Sequence, residues 1–512
     1  MAPGIWLGVV GMTAGTTALI AAILLLYTRL YSIHHDLAAS LLAARLKYAL
    51  GPAFTNYSLY FPPAEQAWFT VAVWLADWTG LRLDLAPIAL AALALLVSTG
   101  LAYHIRRRTM GASPLFLLGS IAVLAIVPVL YKNLFGLREH LVVLGLWPYL
   151  VLRVSDPEGR TIGWRMRLFI GLWLGATLTL KYLYSLVVLL VELTDAALRR
   201  KPGTLFRIEN LAAGLIVAAY LFGWLVLHPE QREVIGAVVS AIDANLLSTA
   251  ANAQRTLVWL VLALPFVGVA VLKRLPLPEN AIAAAAIVGT VLAAYIQARW
   301  YSHHAFPVTM ALFAWLWILH RHIEPVWLVA LGLLAAWPIV PEFSSTAQYQ
   351  QAVRELDAAM AKEGQIIAGK RVGLLAMHPS PFNQYIAMKG AVRWTASNNN
   401  AYVASALQDL DRPGNAGRYA PPVTLDDPGR ALLHDEMLRL LEDRPPEVLI
   451  LDHSTNWPLR YLQVDWRRVF ADDPRFQKVL ERYRPVSEYE GRAVKFSYYE
   501  RRTNTATPTA QR

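Results

Sequence analysis

Long apolar runs separated by short polar ones dominate the first two-thirds of the chain. By length and composition they predict membrane-spanning helices at residues 5–27, 84–104, 114–131, 137–153, 167–182, 184–199, 209–227, 256–272, 280–297, 306–320 and 325–341, about eleven in all. One of them, in the stretch YKNLFGLREHLVVLGLWPYL at 131–150, is too short to span unless it begins near Leu137. Arg138, Glu139 and His140 then form its first turn. Ionisable groups at that depth cost a few kcal/mol each unless they pair or face a wet cavity.

The pattern changes after residue 341. QYQQAVRELDAAMAKEG has helical spacing, KRVGLLAM and PEVLILDHS predict buried strands, and YRPVSEYEGRAVKFSYYERR predicts two strands about a Glu-Gly turn. The expected fold is an α-helical polytopic membrane domain over 1–341, with a long first outer loop at 28–83. A soluble α/β domain over 342–502 follows, and then a disordered tail, 503–512.

Composition agrees with a membrane protein: 56% of residues are hydrophobic and 16% charged, too apolar for a soluble chain of this length. The net charge of +11 sits mostly in the first part, because 342–512 holds 23 basic and 21 acidic residues. No stripe of basic and aromatic residues accompanies it, so it predicts topology and lipid contact rather than nucleic-acid binding. Arg106 to Arg108, Arg160 to Arg167, Arg199 to Lys201, Lys273-Arg274 and Arg321 fall on one side, which should be the cytoplasm. The first span dissents mildly, with Arg29 after it and no basic residue before it. This orientation makes 64–80, AEQAWFTVAVWLADWTG, an interfacial helix rather than a span. It puts the N-terminus in the cytoplasm and the C-terminal domain outside, in a multi-pass membrane protein. The N-terminal run is longer than a signal-peptide core and reads as a retained span. With no cysteine, disulfides and thiolate metal sites are excluded.

The charged clusters near or within the membrane are expected on the outer face. They are His34-His35-Asp36, then Lys132 with Arg138, Glu139 and His140, then Lys181, and finally Gln297, Arg299, Trp300, His303 and His304. A carboxylate can deprotonate a hydroxyl, and Arg and Lys can hold a phosphate. Together they suit transfer of a group from a lipid-linked phosphate donor to a hydroxyl. Each also has a structural reading: Asp36 as a helix cap, Glu139 as a neutraliser of Arg138, Lys181 as a snorkelling side chain, the histidine pairs as interfacial residues. Adjacent histidines point apart on a helix, and spacing sets no third ligand, so a metal site is not indicated by the pattern itself.

The layout resembles the bacterial GT-C class of membrane glycosyltransferases, which includes aminoarabinose and protein-mannosyl transferases. Asp36 stands where that class has an acidic residue soon after the first span, and Pro62-Pro63 opens the interfacial helix as in the class. A bacterial subgroup is more similar still. Its Phe-Gly-Gln-Arg-Glu-His stretch reads Phe135-Gly136-Leu137-Arg138-Glu139-His140 here, and its Leu-Lys turn is Leu180-Lys181. Its Gln-Gly-Lys-Gly-Trp stretch reads Gln297-Ala298-Arg299-Trp300-Tyr301, with both glycines replaced and arginine for lysine; a Tyr-His and a proline follow there, and His304 and Pro307 here. The tail resembles the subgroup's at Asp473-Pro474-Arg475-Phe476 and Tyr483-Arg484-Pro485.

The resemblance implies an inverting enzyme with a polyprenyl-phosphate sugar as donor and a glycan, lipid or protein hydroxyl as acceptor. Asp36 would be the general base and Glu139 a second catalytic carboxylate. Arg138, Lys181 and Arg299 would bind the donor phosphate, and His140, Trp300 and His304 the substrate. A divalent cation near Asp36 is possible, as in some members. Two other readings stay open: a transporter or flippase for a lipid-linked saccharide, and a non-catalytic scaffold for envelope-glycan assembly. Transporters place ionisable groups nearer the midplane and often show internal repeats, which are not evident here.

Overall fold

A computed structural model describes residues 33–50, 62–111, 114–131, 133–227, 229, 247–320, 322–376, 393–394, 428–443, 445–453, 465–492 and 494–502. The expected first span, Lys132, Arg321 and the tail 503–512 lie outside these residues. The chain divides into two compact units. One holds Met1–Leu37, Pro63–Leu227 and Leu246–Ala347; the other holds Ala38–Pro62, His228–Asn245 and Gln348–Arg512.

The first unit is helical. After α1 (His35–Leu50), whose first turn belongs to it, come α2 (Pro63–Thr79), α3 (Ala86–Thr109), α4 (Pro114–Leu130), α5 (Arg138–Ser155), α6 (Trp164–Leu178), α7 (Ser185–Arg199) and α8 (Ile208–Phe222). There follow α9 (Thr249–Leu272), α10 (Leu277–Gln297), α11 (Ser302–Leu319), α12 (Pro325–Ala336) and α13 (Ile339–Lys362), which runs on into the second unit. Among the described residues four helices are long and apolar enough to cross a membrane: α3, α8 extended to Leu225, α9 and α10. The expected span at 325–341 is not one helix. α12 stops at Ala336 and α13 starts at Ile339, because Pro338 between them cannot donate to the preceding turn and disfavours helical backbone before it.

Charge placement follows the helix dipoles. α3 carries Arg106, Arg107 and Arg108 in its last turn, and α5 carries Glu139 in its first turn and Arg153 in its last. Close packing depends on small residues. At Gly289 of α10 a side chain would bring a Cβ to 2.7 Å from Val187 Cα of α7, nearer than carbon atoms can pack.

The expectation that all buried charge lies at one end is corrected by the structure. At the C-terminal end of α5, Arg153 is fully buried and pairs with Glu209 of α8 and with Glu192 of α7 at 3.4 Å. Arg167 of α6 joins Glu209 at 3.2 Å, Arg207 joins Asp195 at 3.0 Å, and the Tyr149 hydroxyl donates to Glu192 Oε1 at 2.6 Å. These residues come from four helices and, with Arg207, the turn before α8; no local spacing in the sequence links them. Only their packing makes them a network.

The second unit contains a five-stranded sheet in the order β2-β1-β3-β5-β4, where β1 is Arg371–Leu375, β2 Arg393–Trp394, β3 Val448–Asp452, β4 Tyr483–Glu490 and β5 Lys495–Arg501. β1 is parallel to β2 and β3; β3, β5 and β4 are antiparallel. Val372, Leu374, Val448, Ile450, Phe496 and Tyr498 bury one face with Leu356 and Met360 of α13, and Leu375, Leu449 and Leu451 are buried on the other, so the central strands β1 and β3 are near-continuous apolar runs.

The network at the end of α5 yields a stability prediction. Arg153→Met removes the cation central to two buried carboxylates and should cost about 3–5 kcal/mol. The effect is read as a lowered thermal midpoint of the detergent-solubilised protein, and an unchanged midpoint would contradict the assignment.

Candidate active site

Four helix N-termini, those of α1, α2, α5 and α11, supply the first-turn residues of one charged cluster, to which the turn before α7 adds Lys181. Helix N-termini carry partial positive charge and favour anions.

Asp36 lies in the first turn of α1. Its Oδ1 is 3.4 Å from His35 Nε2, and its Oδ2 is 3.6 Å from His303 Nδ1 and 3.9 Å from His34 Nδ1. The Asp36 backbone N–H donates to His34 Nδ1 at 3.2 Å, and the His34 and His35 rings stack at 4.1 Å. Burial works against charge on Asp36, but His35, His34, His303 and Arg138 together hold its carboxyl well below the usual carboxylate range. Asp36 is therefore ionised at neutral pH, as a general base must be.

Glu139 is fully buried and binds two cations through one oxygen. Lys181 Nζ and, at 3.2 Å, Arg138 Nε both donate to Glu139 Oε1. Arg138 Nη1 donates in turn to Glu65 Oε2 at 2.7 Å. Glu65, 1% exposed on α2, is a site residue that sequence reasoning missed. It sits in the segment taken as an interfacial helix, and its only signal is its place in the first turn after Pro62-Pro63.

The second oxygen of Glu139 has no hydrogen-bond partner although buried, and neither does His304 Nδ1. Glu139, His303 and His304 offer ligand atoms within 4.8 Å of one another, as do His34, His35 and Asp36. Burial, although Glu139 and Asp36 oppose it, lowers the His303 pKa to about 4, and burial also pushes His304 well below its ordinary value. Both imidazoles are neutral near pH 7, the form that ligates a cation. Two neutral histidines and a carboxylate, two of them with orphaned buried atoms, fit a divalent cation.

Two expected site residues have other work. His140 Nδ1 accepts from the Gly136 N–H at 3.0 Å, so its Nε2 carries the proton and donates to the Leu124 carbonyl at 2.9 Å. With both nitrogens engaged by backbone, His140 has nothing left for a substrate; it fixes the turn ahead of Arg138. Trp300 donates to Asn252 Oδ1 at 2.6 Å and stacks on Trp259, which ties the turn after α10 to α9. Arg299, next to Trp300 in the turn, has a buried Nε without a hydrogen-bond partner and no ion pair among the described residues. It lies within electrostatic reach of His304.

Ala298 and Trp300 both adopt left-handed backbone, with φ of 50° and 48°. These are the two positions at which the resembled stretch has glycine. The turn keeps the glycine conformation without the glycines, which costs about 1–2 kcal/mol per residue.

No family model matches the chain, and no curated protein matches it. Among solved structures, the crystal structure of ArnT from Cupriavidus metallidurans bound to undecaprenyl phosphate aligns over 97% of this chain and 99% of that one, at 13% identity and a TM-score of 0.48. A likeness of that degree bears no weight for function.

The strained turn gives a direct test. Ala298→Gly should raise the thermal midpoint by about one degree, since about 1 kcal/mol of strain is relieved. A lowered midpoint would mean that the left-handed turn is not what the folded chain holds.

Proposed function

We propose that the chain is a GT-C-like inverting glycosyltransferase that moves a sugar from a polyprenyl-phosphate donor to a hydroxyl of a glycan, lipid or protein acceptor. The observation that carries this is an ionised carboxylate, Asp36, that feels His303 and Arg138, in one cluster with Lys181, which shares Glu139 with Arg138, and with Arg299 within electrostatic reach of His304. A base alone or a basic patch alone would not favour it.

In this reading the acceptor hydroxyl attacks the anomeric carbon of the donor while its proton passes to an Asp36 oxygen. The bond from that carbon to the phosphate oxygen breaks, and its electron pair leaves with the lipid phosphate. Arg138, Lys181 and Arg299 bind the phosphate and stabilise the charge that develops on it. Glu139 sets the positions of Arg138 and Lys181 and does not transfer a proton, since it is buried against both. His304, His303 and Glu139 would hold a divalent cation, beside Asp36 through His303, and the ion would add positive charge next to the phosphate. The basic residues Arg106 to Arg108, Arg199 and Lys201 lie at the helix ends away from this cluster, which supports an active site on the extracytoplasmic face.

The deciding assay follows transfer of radiolabelled sugar from a panel of polyprenyl-phosphate donors in oriented vesicles. Asp36→Asn should lower transfer by about 10²–10⁴-fold. Full transfer by that variant would remove Asp36 as base, and label that changes leaflet without reaching an acceptor would make the chain a flippase. Elemental analysis of the purified protein checks the cation separately. His304→Ala should lose bound zinc or manganese that the wild type retains, and equal metal content in both would refute the site. Because His303 stays neutral until the pH falls toward about 4, metal retention should be unchanged from neutral pH down to about that point.

A further inference from the structure

The cleft at the opposite end of the bundle carries a second inference, independent of the transferase reading. It lies where α3, α4, α5 and α11 converge, among Arg106, Phe116, Trp147, Val151, Ser155 and Trp317, and its open space, mouth included, is about 370 Å³. Trp147 lies midway along α5 and Trp317 on the last turn of α11, and the first turns of these helices carry Glu139 and His303. Eight to fourteen residues of helix therefore put the cleft roughly 12–21 Å along the helix axes from the charged cluster.

The walls are apolar, yet the polar groups in them are mainly donors. Trp147 is 4% exposed, and its indole N–H has no hydrogen-bond partner; the Trp317 N–H is likewise buried without one. A buried donor left unpaired is destabilising, so its persistence points to an acceptor that occupies the cleft. Arg106, 8% exposed, brings a cation. Its Nη1 contacts Ser155 Oγ at 3.4 Å and Met110 Sδ at 3.0 Å, and the guanidinium lies over the Phe116 ring. Arg107 and Arg108 follow it on the exposed surface.

An occupant must therefore offer anionic oxygens to one Arg and two indole N–H groups and apolar chain to Val151, Val154 and Phe116. We propose that this cleft binds an anionic phospholipid of the surrounding bilayer, its phosphodiester on Arg106, Trp147 and Trp317 and the start of an acyl chain along the apolar wall. Basic pockets between helices near the cytoplasmic surface are suited to such headgroups. Free phosphate would gain nothing from the apolar walls, and a zwitterionic lipid would add a second cation beside three arginines.

The test is native mass spectrometry of the detergent-solubilised full-length protein with equimolar phosphatidylglycerol and phosphatidylcholine of matched acyl chains. Wild type should retain phosphatidylglycerol over phosphatidylcholine by about tenfold, and Arg106→Gln should bring the two to parity. Trp147→Phe keeps the ring and the packing and removes only the donor, so it decides the matter if Arg106→Gln fails to fold; it should lower the preference several-fold. A parallel thermal melt should rise with phosphatidylglycerol and not with inorganic phosphate. Equal retention of both lipids by wild type, an unchanged preference in Trp147→Phe, or the same thermal rise with inorganic phosphate would each overturn the proposal.

Discussion

A carboxylate with no exposure to water cannot stay charged without partners, and Glu139 meets that condition by taking both Lys181 and Arg138 on one oxygen. Everything else at the candidate active site depends on this bridge. It joins the start of α5 to the turn before α7, and through Arg138 and Glu65 it reaches the start of α2. It leaves two long cationic side chains with little freedom, so the entropy of ordering them is lost on folding and not when a phosphate binds. The second oxygen of Glu139 is left facing the histidines of α11. One residue thus orders the cations and lends a ligand to a possible metal.

The bundle has a second buried ionic centre, and the two differ in character. At the far end of α5 Arg153, Arg167 and Arg207 are matched by Glu192, Asp195 and Glu209, a closed set that ties four helices together. At the active-site end Arg299 has no ion pair among the described residues, and two ligand atoms are without hydrogen bonds. Both centres keep buried atoms without hydrogen bonds, Arg153 Nη1 and Glu192 Oε2 among them at the far end; what separates the two is that every cation of the far network has a carboxylate partner.

Much of this was legible in the sequence, for reasons that can be named. α5 starts at Arg138 because a span of that length had nowhere else to begin, and β1 and β3 sit in KRVGLLAM and PEVLILDHS, where apolar runs are bounded by polar ones. Asp36, Arg138, Glu139, Lys181 and His304 come together, as their expected placement on one face of the membrane implied. What was not legible depended on packing between distant segments. Nothing in the spacing of Glu65 points to Arg138, 73 positions away, and no local pattern links Arg153 to Glu209. His140 and Trp300 looked available because the sequence does not show the backbone carbonyl or the Asn252 side chain that engages them. The turn at Ala298 and Trp300 keeps a left-handed backbone that its residue types argue against.

The central claim is that Glu139 acts by holding Lys181 and Arg138 in place for a lipid phosphate. A double-mutant cycle on polyprenyl-phosphate affinity measures this most directly, with Glu139→Gln, Lys181→Met and the pair compared with wild type by calorimetry in detergent. The account predicts strong coupling, so that the double variant loses much less affinity than the two single losses added together. Strictly additive losses would show that the two residues act separately and would contradict it.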